Sequence, residues 1–196
     1  MRKFIVATRN KGKLEEIKEI LKDFNFNVIS MDQAGIGKEI EETGNSFEEN
    51  ALIKAREIFK LTNEMVMADD SGLEVDYLGG APGIYTSRFA GEGATDLERI
   101  NKLLNLLEGV PWEKRTARFV CAIAVCFPDG SNLTVKGICD GYIGFELRGS
   151  NGFGYDPIFY LHENGVSMAE LEPEHKHKIS HRGKALAELV KKLRER

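Results

Sequence analysis

Little in this chain suggests a membrane, a disulfide scaffold or a polyanion as its partner. Three cysteines in 196 residues, Cys121, Cys126 and Cys139, are odd in number and lack CxxC spacing. That argues against a disulfide framework and against a CxxC metal or redox motif. Cys121 and Cys126 lie in an apolar run, where a thiol acts as a small buried hydrophobe, and the expected compartment is the reducing cytoplasm. No apolar stretch approaches the roughly 18 residues a membrane helix needs. The apolar start at Phe4 runs at once into polar residues, so it reads as a first strand and not a signal peptide. A basic surplus is missing too: 27 Lys and Arg against 31 Asp and Glu leave a net charge of −4, so nothing announces a nucleic-acid partner. Neither GxxxxGK[ST] nor GxGxxG occurs, which removes a standard P-loop and a Rossmann fingerprint. There is no internal repeat, low-complexity tract or linker, and we expect one domain over residues 1–196, in two lobes that are not independent.

What is present alternates helix and strand early and becomes hairpin-rich later. Phe4 to Ala7 and Phe26 to Ile29 read as strands around a helix with Leu14, Ile17, Ile20 and Leu21 at helical spacing. Residues 31–44 read as a loop. Capping-box spacing at Ser46/Glu49 and Thr95/Glu98 opens two further helices, the second stopped by Gly109 and Pro111. Met65 to Ala68 is expected as a strand that delivers Asp69 and Asp70 to the rim of a sheet. Ala117 to Phe127, Pro128-Asp129-Gly130 and Leu133 to Cys139 form a hairpin signature, with Gly141 to Leu147 as a possible extra strand. Residues 149–157 make a glycine-rich loop, Ile158 to Leu161 a short strand, and Ser180 caps the last helix. The fold class is therefore α/β: a mixed sheet flanked by helices, in two lobes with a cleft.

Four groups carry chemistry. Ala68-Asp69-Asp70-Ser71-Gly72 sets two carboxylates after an apolar run; hard oxygens there suit Mg²⁺, although the same residues also suit a solvated turn. Glu41 or Glu42 could join Asp70 around the metal, or simply face solvent. The loop Thr8-Arg9-Asn10-Lys11-Gly12-Lys13 puts three cations and backbone N–H groups before a helix, a setting that favours phosphate. In Phe153-Gly154-Tyr155-Asp156, glycine allows close backbone approach and an aromatic offers a stacking face for a base. His181 and Arg182 fall in a first helical turn, where cations oppose the helix dipole. A local rule broken in this way points to a bound anion or carbonyl.

Taken in order along the chain, these motifs resemble one family. They are Thr8 to Lys13; Glu41-Glu42-Thr43-Gly44 with Phe47 and Glu49-Asn50-Ala51; Ala68 to Leu73; Gly83-Ile84-Tyr85 with Ser87-Arg88; Phe153 to Asp156; and Ser180-His181-Arg182. The chain is similar to the inosine triphosphate pyrophosphatases, the Ham1-like non-canonical purine NTP pyrophosphatases. Arg9 is a minor departure from many relatives.

The resemblance implies an elongated mixed sheet with a central substrate cleft between the two lobes, and hydrolysis of ITP, dITP and XTP to monophosphate and pyrophosphate, with Mg²⁺ as cofactor and a homodimer in the cytoplasm. It implies small purine nucleotides as partners, with neither nucleic acid nor membrane. By similarity, Thr8, Arg9, Asn10, Lys11, Gly12, Lys13 and Ser71 hold phosphates, and Glu41 and Asp70 match metal-ligand positions, Asp70 also as catalytic base. Phe153, Gly154, Tyr155, Asp156, Lys176, His181 and Arg182 match base-recognition positions. Two other readings stand beside this one: a Maf-like pyrophosphatase acting on other nucleotides, and a non-catalytic nucleotide- or RNA-binding protein.

Overall fold

The computed structural model describes residues 2–9, 11–161 and 165–196. Three strands and two helices come first: β1 (Arg2–Val6), α1 (Lys11–Ile20), β2 (Phe26–Ser30), α2 (Phe47–Thr62) and β3 (Met65–Val75). They are followed by α3 (Asp96–Leu106), β4 (Thr116–Cys126), β5 (Asn132–Ile143), β6 (Phe159–Leu161), α4 (Pro173–Ile179) and α5 (His181–Arg194). Short 3₁₀ turns punctuate the connections, among them Gly83–Arg88.

The six strands form one sheet in the order β2-β1-β3-β4-β5-β6. It is mixed, as expected: β1 runs parallel to β2, with Phe4 opposite Val28, and parallel to β3, with Phe4 opposite Met65. β5 and β6 are antiparallel, with Tyr142 opposite Tyr160.

The chain divides into two compact units. The first comprises Met1–Asp70, Cys121–Gly137 and Ala185–Arg196; the second comprises Ser71–Val120 and Ile138–Lys184. Each has a core of its own. In the first, Leu14, Ile17 and Leu21 of α1 and Ala185, Leu186 and Leu189 of α5 pack on Phe4, Val6, Met65, Met67, Cys121, Ile123 and Val125. In the second, Ile100, Leu103 and Leu107 of α3 pack with Leu73, Val75, Phe119, Ile143, Tyr155 and Phe159.

Local signals account for the helices. Ser46 Oγ accepts from the Glu49 N–H at 3.1 Å, but the Glu49 carboxylate takes the Asn45 N–H at 2.7 Å, so the expected box closes one residue early. α2 ends where Asn63 turns left-handed (φ 53°) and donates to the Phe59 carbonyl. At α3 the reciprocal Thr95/Glu98 box is complete. Ser180 Oγ accepts from the Gly183 N–H at 3.1 Å and so caps α5 as expected.

Three boundaries differ from the sequence reading. β3 does not stop at Ala68; it continues through Asp69-Asp70-Ser71-Gly72 to Val75. The carboxylates thus sit inside a strand and not on its rim, because Leu73 and Val75 re-enter a core and carry the strand onward. β5 is one strand to Ile143, and residues 144–147 are not strand. α4 has no counterpart among the expected elements; Pro173 begins it, in a position where the missing N–H costs nothing.

Candidate active site

Strand geometry sends Asp69 and Asp70 to different neighbours. Successive side chains of a strand face opposite sides. Asp69 continues the parity of Met65 and Met67, which lie in the core under α1 and α5. It meets α1: Lys13 Nζ donates to Asp69 Oδ2 at 2.8 Å, and that carboxylate is only 3% exposed. Asp70 has the parity of Val66 and Ala68, which are fully buried but stand outside that core. Its neighbours come from α2 and the loop before it. Right-handed β1-α1-β2 and β2-α2-β3 crossovers in the order β2-β1-β3 put α1 and α2 on opposite faces, which explains the division.

The Asp70 carboxyl is pushed up to about 6. Burial is the main cause; Lys54 pulls it down, Glu42 pushes it up, the Asn50 side chain lowers it by hydrogen bonding, and Asp69 raises it again. Lys54 is the hub. Its ammonium is 2.6 Å from Glu42 Oε1 and donates to the Asp69 carbonyl at 3.0 Å. Burial alone would lower Lys54, but the hydrogen bond and charge of Glu42, with Asp69 and Asp70, leave it raised. Asn50, fully buried on α2, accepts from the Gly44 N–H through Oδ1 at 2.8 Å, tying the acidic loop to the helix. A Cβ on Gly44 would lie 2.7 Å from that Oδ1, so only glycine fits.

The second unit gathers the base-recognition candidates. Asp156, buried, accepts from Lys176 Nζ at 2.5 Å and from the Phe153 N–H at 2.9 Å, both through Oδ2. Lys176 Nζ and the Arg182 guanidinium stand 5.3 and 5.8 Å from the centre of the Phe153 ring, which is 54% exposed. His181 stacks on Phe119 with centroids 4.9 Å apart, and an Arg182 nitrogen donates to Ser71 Oγ at 3.5 Å. Gly152 makes the arrangement possible: φ is +80°, and a Cβ there would fall 2.2 Å from Asp156 Oδ2 and 2.7 Å from Lys176 Nζ.

With this geometry in view, comparison with known proteins finds that residues 4–192 match the Ham1 family. The chain belongs to the Ham1 family. It is 52% identical over 189 residues to the dITP/XTP pyrophosphatase of Bacillus licheniformis, covering 96% of each chain. To the dITP/XTP pyrophosphatase of Bacillus subtilis it is 51% identical, covering 98% of each. Its fold matches the solved Ham1 protein of Coxiella burnetii with a TM-score of 0.94 at 44% identity, over 100% of both chains.

Among the residues that the Ham1 resemblance singled out, Lys13 and Asp69 meet directly and Asp70 lies one residue on. Lys11 is exposed, Gly12 lies in the first turn of α1, Thr8 is buried, and Asn10 falls outside the described residues. The Arg9 guanidinium turns to the 31–37 loop, bonding Asp32 at 3.3 Å and the Gly37 carbonyl at 3.0 Å. Glu41 is exposed, whereas Glu42 is the carboxylate held by Lys54. Tyr155 is not an open stacking face. It is 2% exposed in the second core, and its hydroxyl donates to the Thr86 carbonyl at 3.2 Å. Burial pushes that hydroxyl up to about 12, with Arg99 lowering and Asp96 raising it. Phe153 is the exposed ring of the motif.

Sequence reasoning passed over Lys54 and gave Asn50 no role. A signal existed: they stand four residues apart, so they share a face of α2. Gly152 stood in the glycine-rich loop without being singled out, because the Asp156 carboxylate that crowds it is held in place by Lys176 from another element.

Proposed function

We propose that this chain is a nucleoside-triphosphate pyrophosphatase that hydrolyses ITP, dITP and XTP to the monophosphate and pyrophosphate, removing them from the nucleotide pool. The observation that carries this reading is full-length identity of 51–52% to relatives named dITP/XTP pyrophosphatase. The interlocked Lys13, Lys54, Glu42, Asp69 and Asp70 of the first unit supply matching chemistry.

The hydrolytic step needs water to attack the α-phosphorus while the bond to the bridging oxygen breaks and pyrophosphate departs. Asp70 takes the proton from that water. At about 6 its carboxyl is mostly ionised at neutral pH yet basic enough to accept a proton. Lys13, Lys11 and the backbone at the start of α1 bind phosphate oxygens. Ser71 and Thr8 offer hydroxyls. Lys54 keeps the clustered carboxylates compatible with one another.

Magnesium fits the donor set. Among the described residues no group of three or more His, Cys, Asp or Glu side chains is arranged to hold a metal ion. Mg²⁺ ordinarily takes one or two carboxylates and completes its shell with water and substrate phosphates. Asp70 with Glu42 or Glu41 would hold it; an ion bound directly to Asp70 would lower that carboxyl, so Asp70 acts as the base only where the ion sits on Glu42 or Glu41. When bound, the ion neutralises charge on phosphate oxygens.

Selectivity against adenine rests on donors. Hypoxanthine and xanthine carry an O6 acceptor where adenine carries an amino donor. Lys176, His181 and Arg182 are donors, and a buried donor set facing an amino group is left unpaired, a strong ground for rejection. Phe153 offers the ring on which the base lies. The homodimer rests on the family resemblance, and a cytoplasmic setting suits three buried cysteines that form no disulfide.

Product analysis tests the reading. With Mg²⁺, ITP and XTP should yield monophosphate and pyrophosphate, with kcat/KM far above that for ATP or GTP, and EDTA should abolish turnover. Diphosphate with orthophosphate, or equal rates on all four nucleotides, would overturn it. Light scattering checks the dimer.

A further inference from the structure

The Gly83–Arg88 turn and the first residues of α3 take no part in the chemistry above, yet the base loop is moored to them. The Asp96 carboxylate, at the start of α3, accepts from the Gly154 backbone N–H through Oδ2 at 2.7 Å. Its other oxygen pairs with Arg99. Arg99 in turn donates to the carbonyls of Ser87 at 2.8 Å and Ala94 at 2.6 Å. The same turn receives the Tyr155 hydroxyl at the Thr86 carbonyl. Thr86 Oγ1 accepts from the Leu73 N–H at 2.9 Å, two residues beyond Ser71 on β3. Every group here belongs to the second unit.

An acidic residue in the first turn of α3 suits the helix dipole wherever its side chain points. A capping role, however, is already filled by Thr95 and Glu98, which satisfy each other. Asp96 instead reaches a backbone donor 58 residues away, and Arg99 fixes its carboxylate from behind. The bonded N–H belongs to the residue next to Phe153. Displacement of Gly154 therefore moves the exposed ring and the Phe153 N–H that Asp156 accepts. Asp156 also holds Lys176, so one shift disturbs both the stacking face and a donor.

We propose that Asp96, fixed by Arg99, is a positioning residue for base selectivity: it holds the Gly154 backbone, and so sets the Phe153 ring and the Asp156–Lys176 pair. The inference rests on the base-reading role given to that loop above. Neither Asp96 nor Arg99 touches the nucleotide.

Steady-state kinetics of Asp96→Asn and Arg99→Lys test it, with ITP, XTP and ATP as substrates. Asp96→Asn keeps the size but loses the charge-assisted hydrogen bond. Loss of one such bond is expected to raise KM for ITP about tenfold and to narrow the ITP-over-ATP preference by a similar factor. At saturating ITP, kcat stays within about threefold, because Lys13, Lys54 and Asp70 are untouched. Arg99→Lys shifts both quantities the same way by a smaller amount, since an ammonium cannot serve Asp96 and two carbonyls in one plane. General damage to the fold would lower kcat and leave selectivity alone. A wild-type enzyme that discriminates, beside an Asp96→Asn variant with unchanged KM and unchanged preference, overturns the proposal. A wild-type enzyme that fails to discriminate overturns the base-reading role itself. If Asp96→Asn does not fold, Arg99→Lys decides alone, and an unaltered ITP-over-ATP ratio there rejects the idea.

Discussion

Asp70, the base in the proposed reaction, is held in a state that costs stability at neutral pH. Its ordinary carboxyl value of 3.8 rises to about 6 on folding, mainly by burial. Between those values the folded chain binds more protons than the unfolded one, so this group's stabilisation is full below the ordinary value and lost as pH rises through about 6. At neutral pH the ionised group is a burden. Asp70→Asn should therefore raise metal-free stability at pH 7 by about 1–3 kcal/mol, with the gain vanishing near pH 4. The same variant should lose at least about a hundredfold in kcat while still binding nucleotide. Denaturant titrations at the two pH values and a turnover assay check both halves; normal turnover rejects the base assignment. Gly152 gives a second prediction at this scale. Gly152→Ala meets a left-handed backbone and the Asp156–Lys176 pair together. It should raise KM for ITP severalfold, and an unchanged KM would show that the pair does not read the base.

Among the elements, α3 and the end of β5 are joined by one buried side chain. Arg115 donates to the carbonyls of Ile143, Leu107 and Gly144, each at 2.8 Å, and lies under the Phe145 ring at 4.4 Å. Burial lowers its guanidinium, yet it remains a cation that satisfies the Ile143 and Gly144 carbonyls and shares the Leu107 carbonyl with the Val110 N–H. Arg115→Leu should destabilise by about 3 kcal/mol, because two buried acceptors lose their donor and a third loses one of two. A midpoint of chemical unfolding equal to wild type would refute this. β3 teaches the complementary point. Its apolar start was plain from Met65-Val66-Met67, but the acidic centre reads locally as a turn. Pairing with its neighbours and burial of Leu73 and Val75 override that preference.

For the molecule as a whole, burial is uneven. β4 is buried along almost its full length, from Phe119 to Cys126, whereas residues 36–46 form an irregular, mostly exposed loop. Hydrogen exchange should find β4 amides among the slowest, opening only with global unfolding, and residues 37–43 among the fastest. Comparable rates in both segments would contradict this picture.

Order along the chain was enough for the family, the mixed α/β class and most of the groups bearing chemistry, because motif residues and helical or strand periodicity are local properties. Lys13, Asp70, Lys176 and Arg182 were all readable in that way. Tertiary structure alone decided their partners. The parity of β3 sends Asp69 to Lys13 and Asp70 to α2. The register of α2 makes Lys54 and Asn50 the neighbours of Glu42 and Gly44, and the second core takes Tyr155 away from solvent. Each of these depends on which faces are brought together over long stretches of chain, and no local pattern encodes that.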